Sequence, residues 1–294
     1  MLTRILTALV LIPLVVFATF YLSPVWFAIG LGAVVLLSLY EWFNLFIPST
    51  KRRPFKFLFG LSIYLIGGVA LMLLAYSSEL YHYQPEIRYL FPLFIFFWGS
   101  IFLWMWVKDP LRSYPAPRII NHSLDSFGVG QFFRLIIGYI VMMGFWLGLL
   151  TIRTASYLGP IYILSLFVFV WLADSGAYFI GKKFGQTKIF PKGSPNKTFA
   201  GFFGGYLSAI VLALIVFYCF EKSNSINFLT FMLLASVLYL FSVYGDLFES
   251  VIKRLQGVKD SGHLLPGHGG ILDRLDSLYS TVPLYTFMLL HYLS

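Results

Sequence analysis

The chain alternates long apolar runs with short polar breaks. Runs long enough to cross about 30 Å of hydrocarbon, at about 20 residues each, lie at approximately 5–22, 25–46, 58–77, 89–107, 133–152, 161–181, 201–220, 228–251 and 278–293. The pattern predicts nine transmembrane helices, the last of them short. The breaks carry the expected punctuation: Ser23-Pro24 makes a tight turn, and Pro85, Pro110, Pro115 and Pro117 mark loops. The connection 108–132, with Gly128 and Gly130, has room for a short interfacial helix. The first apolar run is too long for the core of a signal peptide and no A-x-A-like site follows it, so it is read as a membrane helix.

Composition agrees with the pattern. Only 11% of the 294 residues are charged and 59% are hydrophobic, whereas about a quarter of a soluble domain is charged. A 20% aromatic share suits helices anchored at lipid headgroups. Cys219, the single cysteine, lies in an apolar run and excludes a disulfide scaffold.

The net charge of +9 would suggest nucleic acid in a soluble protein, but here it sorts by loop and no nucleic-acid partner is expected. Seventeen Lys and Arg fall in the loops after the second, fourth, sixth and eighth runs, and only Arg4, Arg88, Arg153 and Lys222 fall on the other side. Such a bias marks the cytoplasmic face. It predicts an outside N-terminus, large cytoplasmic loops, and attraction of those loops to anionic membrane lipids.

Apart from Glu41, the acids set within apolar runs fall in the C-terminal half. Spans three to five have no acid in their interiors, and Glu41, near the end of span two, is read as reaching interfacial water. Residues 1–132 are therefore read as lipid-facing scaffold and 133–294 as the catalytic part, with cytoplasmic loops 182–200 and 253–277. In span six Asp174 lies within the membrane-embedded part, where an ionised carboxylate costs a few kcal/mol unless it is paired or meets water. Lys182 follows in the next loop, and Ser194, Asn196, Lys197 and Thr198 then offer donors ahead of a helix N-terminus, where backbone N–H groups favour an anion. That loop is no Walker-type loop, and taken alone it fits a basic loop with a helix cap equally well.

The stretch Gly245–Asp276 holds five of the twelve carboxylates: Asp246, Glu249, Asp260, Asp273 and Asp276. Asp246, Glu249, Ser250 and Lys253 follow i, i+3, i+4, i+7 spacing and share one helix stripe. Two acids at membrane depth repel one another and resist desolvation, and a divalent cation answers both problems. LPGHGG at 265–270 is too rich in Gly and Pro for regular structure. Asp273, Arg274 and Asp276 then return to the level of the first acids. Irregular backbone at that depth requires a protein cavity or water, so the expectation is a cytoplasm-facing pocket. Asp246 and Asp273 form its floor, and Lys253, Lys259, His268 and Arg274 its walls.

Oxygen ligands without Cys favour magnesium, or manganese, over zinc. Magnesium amid several cations points to phosphoryl or nucleotidyl transfer.

The runs Ser250-Val-Ile-Lys253-Arg254, Lys259-Asp260 and Pro266-Gly267-His268-Gly269-Gly270-Ile271-Leu272-Asp273-Arg274-Leu275-Asp276 resemble the signature of the phosphatidate cytidylyltransferase (CDP-diacylglycerol synthase) family. The likeness extends to 174–185 and 194–205; the N-terminal half agrees only in being hydrophobic. It implies that CTP and phosphatidate give CDP-diacylglycerol and pyrophosphate with magnesium. It also implies that Asp246 and Asp273 are metal ligands, joined here by Glu249, and that a second, monovalent cation such as potassium is used by some members. A homodimer in the bacterial cytoplasmic (inner) membrane is implied as well. In that frame Lys253, Lys259 and Arg274 act on the leaving group. Asp174, Lys182, Ser194, Asn196, Lys197, Arg254, Asp260, His268 and Asp276 are then substrate-binding residues. One segment departs from the family: where members commonly read SPKKTWEG, this chain has Ser194-Pro-Asn-Lys-Thr-Phe-Ala-Gly201, which leaves no acid at Ala200 and no double lysine at Asn196.

Two rivals share the features. A CTP-dependent polyprenol or dolichol kinase would release CDP instead of pyrophosphate. An ion-coupled transporter would also place acids in the membrane, but no inverted repeat relates the halves.

Overall fold

The structure, a computed structural model, describes residues 2–46, 54–77, 89–108, 129–191, 193–221, 227–265 and 269–292. Among these, nine α-helices form: α1 Leu2–Tyr21, α2 Pro24–Phe46, α3 Pro54–Ser77, α4 Leu90–Lys108, α5 Val129–Ala155, α6 Gly159–Phe184, α7 Phe199–Val216, α8 Phe228–Leu255 and α9 Leu272–Tyr292. Each overlaps one predicted run. Six of the described helices, α2 and α4 through α8, are long and apolar enough to cross a membrane. The chain is an all-α integral membrane protein.

Local chemistry sets the helix starts. Ser23 supplies the carbonyl for the Phe27 N–H at the mouth of α2, and Pro160 pre-sets the first turn of α6. Thr198 and Asn227 cap α7 and α8 with side-chain oxygens that accept from Gly201 N and Leu229 N. Position 257 ends α8: Gly257 adopts φ 72°, and its N–H and that of Val258 bond back to the Arg254 and Lys253 carbonyls.

The segment read as a loop at 182–200 contains a short hairpin. β1 (Lys188–Phe190) pairs antiparallel with β2 (Ser194–Thr198), Lys188 opposite Thr198 and Phe190 opposite Ser194. The strand sequence SPNKT has no alternation of apolar residues and carries a proline, which a two-stranded edge tolerates.

The core joins helices from both ends of the chain. Phe248 of α8 lies against Trp42 of α2 and Trp98 of α4, with ring centroids 6.3 and 5.5 Å apart. Tyr279 of α9 meets Phe145 of α5 at 5.1 Å and donates to Ser38 Oγ on α2 at 2.8 Å. Trp42 and Trp146 donate their indole N–H groups to the Arg134 and Ala28 carbonyls, which meets the need of a buried ring for a polar partner. Outward faces carry Phe17, Phe96, Trp106, Phe179 and Phe203, all exposed, as lipid contact demands.

Small residues let α6 and α7 approach closely, since a Cβ at Gly201 would stand 2.9 Å from the Ala177 carbonyl and one at Gly205 2.8 Å from that of Ala173. Gly245 does the same between α8 and α9: a Cβ there would lie 2.7 Å from the Asp276 carbonyl. Gly245→Val is expected to force these two helices apart and cost about 1–3 kcal/mol. The check is thermal unfolding in detergent, where an unchanged midpoint would contradict the packing described.

Candidate active site

The last three turns of α8 carry the acidic stripe. Asp246 accepts from Lys197 Nζ at 2.6 Å and from Ser250 Oγ at 3.4 Å. Lys197 reaches it from β2, just ahead of the capped end of α7, and also donates to the Val243 carbonyl at 3.4 Å. One turn on, Lys253 Nζ lies 2.5 Å from Asp273 Oδ1 and 3.4 Å from Glu249 Oε1. The helical spacing read from sequence is thus realised as contacts along one face.

Asp273 sits in the first turn of α9, and its carboxylate is held from several sides. Besides Lys253 it accepts from Ser261 N at 3.0 Å and Gly270 N at 2.8 Å, both on its Oδ2. The loop between α8 and α9 therefore folds back onto this acid from both of its ends. Gly269, at φ 83°, makes the bend in a conformation that L side chains rarely adopt; a Cβ there would lie 2.7 Å from Asp273 Oδ2.

Asp276, one turn further, lies in the field of Asp246, Glu249 and Asp174. Asp174 of α6 faces Asp246 and Lys197. The structure thus gathers Asp174, Lys197, Asp246, Glu249, Lys253, Asp273 and Asp276 into one charged region. Five carboxylates there face two ammoniums, an excess of negative charge that a cation or protons must balance.

Glu249 is 4% exposed, and neither of its carboxylate oxygens has a hydrogen-bond partner. A buried carboxylate that meets a single ammonium, Lys253 at 3.4 Å from Oε1, keeps oxygen lone pairs for a hard cation. Among the described residues no three acidic, His or Cys side chains converge closely enough to hold a metal by themselves.

Other expected residues stand further out. Arg254 does not point at the acids; its Nε donates to the Gly193 carbonyl at 3.3 Å and ties the hairpin turn to α8. Lys182 lies over the Tyr178 ring at 5.8 Å. Lys259 and Asp260 are exposed on the loop after α8 and make no ion pair among the described residues, Arg274 is exposed on α9, and Asn196 is exposed on β2. Ser194 is half-buried at the start of β2. His268 lies outside the described residues.

Glu41 behaves differently from expectation. It is 2% exposed and bonded to the α8–α9 loop, not to interfacial water. Proximity to a helix end suggested snorkelling, but the neighbours of this helix end are protein.

The cytidylyltransferase family profile matches residues 2–292, and the chain belongs to that family. It is a nucleotidyltransferase enzyme. It is 34% identical to the phosphatidate cytidylyltransferase of Haemophilus influenzae over 97% of this chain and 96% of the relative. It is 35% identical to that of Pseudomonas aeruginosa over the same shares. The Bacillus subtilis enzyme of that name is 35% identical over 83% of this chain and 92% of its own length.

Proposed function

We propose that this chain transfers the cytidylyl group of CTP to phosphatidate, forming CDP-diacylglycerol and pyrophosphate for phospholipid synthesis, in a magnesium-dependent reaction. The observation that carries the metal reading is the buried Glu249 carboxylate, which makes no hydrogen bond among the described residues and meets only the Lys253 ammonium at 3.4 Å, set among acids that outnumber their ammoniums. Asp246, Glu249 and Asp273 are the residues assigned to hold magnesium, with manganese able to replace it and potassium as a second ion. When bound, the metal supplies positive charge to the phosphate oxygens of the nucleotide.

The chain's own groups do the rest. The phosphate oxygen of phosphatidate attacks the α-phosphorus of CTP in line; the new P–O bond forms as the bond to the β-phosphate oxygen breaks, and pyrophosphate departs. Lys253, Lys259 and Arg274 neutralise charge on the leaving pyrophosphate. Lys197, with Ser194 and Asn196 on the same strand, lies ahead of the α7 N-terminus, where an anion is favoured. Asp174, Lys182, Arg254, Asp260, His268 and Asp276 complete the substrate surroundings. No covalent enzyme intermediate is required, because a phosphate monoester is already a competent nucleophile.

The reading extends to topology. Nine membrane spans put the N-terminus outside and the polar cavity of the C-terminal half toward the cytoplasm, supported by the seventeen-to-four division of Lys and Arg between alternate loops. The bacterial inner membrane is the assigned location and a homodimer the assigned assembly.

Chelation tests the metal. Treating the purified enzyme with EDTA is expected to abolish CTP- and phosphatidate-dependent pyrophosphate release, and added magnesium or manganese to restore it. Turnover that persists after exhaustive chelation would overturn the assignment.

A further inference from the structure

Glu41 lies on α2, in the half of the chain that contributes none of the acids described above. Its Oε2 accepts from Ser261 Oγ at 3.2 Å and from Leu272 N at 2.9 Å, and its Oε1 accepts from Ile271 N at 3.1 Å. The last two donors open α9. The first N–H groups of any helix lack intrahelical acceptors, and the residue before this helix, Ile271, has no side-chain oxygen to offer them. A carboxylate from 230 residues away in sequence does so instead, placing negative charge at the positive end of the helix dipole.

The same loop is held from its other side by Asp273. Ser261 donates its N–H to Asp273 and its hydroxyl to Glu41, so one residue joins the two carboxylates. The loop backbone lies directly against Glu41: a Cβ at Gly262 would stand 2.9 Å, and one at Gly270 2.7 Å, from its carboxyl carbon. A buried carboxylate is costly unless its lone pairs are satisfied. Among the described residues, every donor to Glu41 belongs to the segment that presents Asp273.

We propose that Glu41 is a positioning residue for the reaction, fixing through Ser261 and the α9 N-terminus where the Asp273 carboxylate stands. This rests on the reading that Asp273 serves the reaction. The N-terminal helices are then part of the active-site machinery, with α2 setting the geometry of a loop whose chemistry is entirely C-terminal.

The test uses the full chain purified in detergent, with hydrogen exchange of the backbone and steady-state kinetics side by side. Glu41→Gln keeps the size but places an amide N–H₂ against N–H and O–H donors. Exchange in 261–272 is expected to rise about tenfold, the effect of losing one charge-assisted bond, while α5 and α7 exchange as in wild type. Lost orientation lowers kcat by about tenfold and moves the KM for CTP by less than about threefold. If Glu41→Gln fails to fold, Ser261→Ala removes one donor and leaves the Ser261 N–Asp273 bond, and is expected to shift both readouts in the same direction by about threefold. Unchanged loop exchange, a rise spread evenly over all helices, or an unchanged kcat overturns the proposal. Near wild-type turnover by Asp273→Asn would instead remove the role of Asp273, and the loop exchange of Glu41→Gln would still report the anchoring by itself.

Discussion

Asp246→Asn is expected to release pyrophosphate about a hundred to a thousand times more slowly than wild type, the range seen when one group that stabilises developing charge is removed. The substitution is nearly isosteric and keeps an oxygen toward Ser250, so packing on α8 is retained. What disappears is the charge that pairs with Lys197 at 2.6 Å and, in the proposed site, holds the cation. Pyrophosphate release at saturating CTP and phosphatidate is the measurement, with thermal unfolding in parallel to show that the variant is folded. Asp273→Asn is expected to fall into the same range. Turnover near the wild-type rate in either variant would sink the metal assignment.

Lys253→Met is expected to destabilise the protein by about 3–5 kcal/mol, the cost of leaving a buried charge without its partner. The side chains of Glu249 and Asp273 are only 5% and 6% exposed, and Lys253 serves both at 3.4 and 2.5 Å. Methionine fills the stem volume and keeps the apolar packing, so the loss reads out electrostatics. The unfolding midpoint in detergent should drop steeply and activity should vanish with it, whereas Lys253→Arg, which keeps the charge, should recover much of the stability. A Lys253→Met protein as stable as wild type would mean that the two acids are balanced by something other than this ammonium.

Much of this arrangement is legible in the chain itself, and the reason is local. Each of the nine described helices overlaps one apolar run, because length and hydrophobicity are local properties of the sequence. The contacts among Asp246, Ser250, Glu249 and Lys253 follow from spacing within one helix. The hairpin escapes notice because SPNKT has no apolar alternation and only one β-branched residue, Thr198, to announce a strand. Glu41 escapes for a different reason. A carboxylate near a helix end looks the same in sequence whether it meets water or caps another helix, and its donors at Ser261, Ile271 and Leu272 are set by tertiary packing. Arg254, assigned to substrate in the frame of the family resemblance, lies one position on from Lys253 and so points about 100° away from it, here toward the Gly193 carbonyl.

The close seam between α6 and α7 bears on more than packing. Asp174 is borne on the first of these helices and Lys197 immediately precedes the second, and the two backbones touch through Ala173, Ala177, Gly201 and Gly205. Any slide of one helix along the other would drive carbonyls into Cα atoms. The pair therefore behaves as a ruler: the spacing of the backbones that carry this acid and this lysine is engraved in small residues.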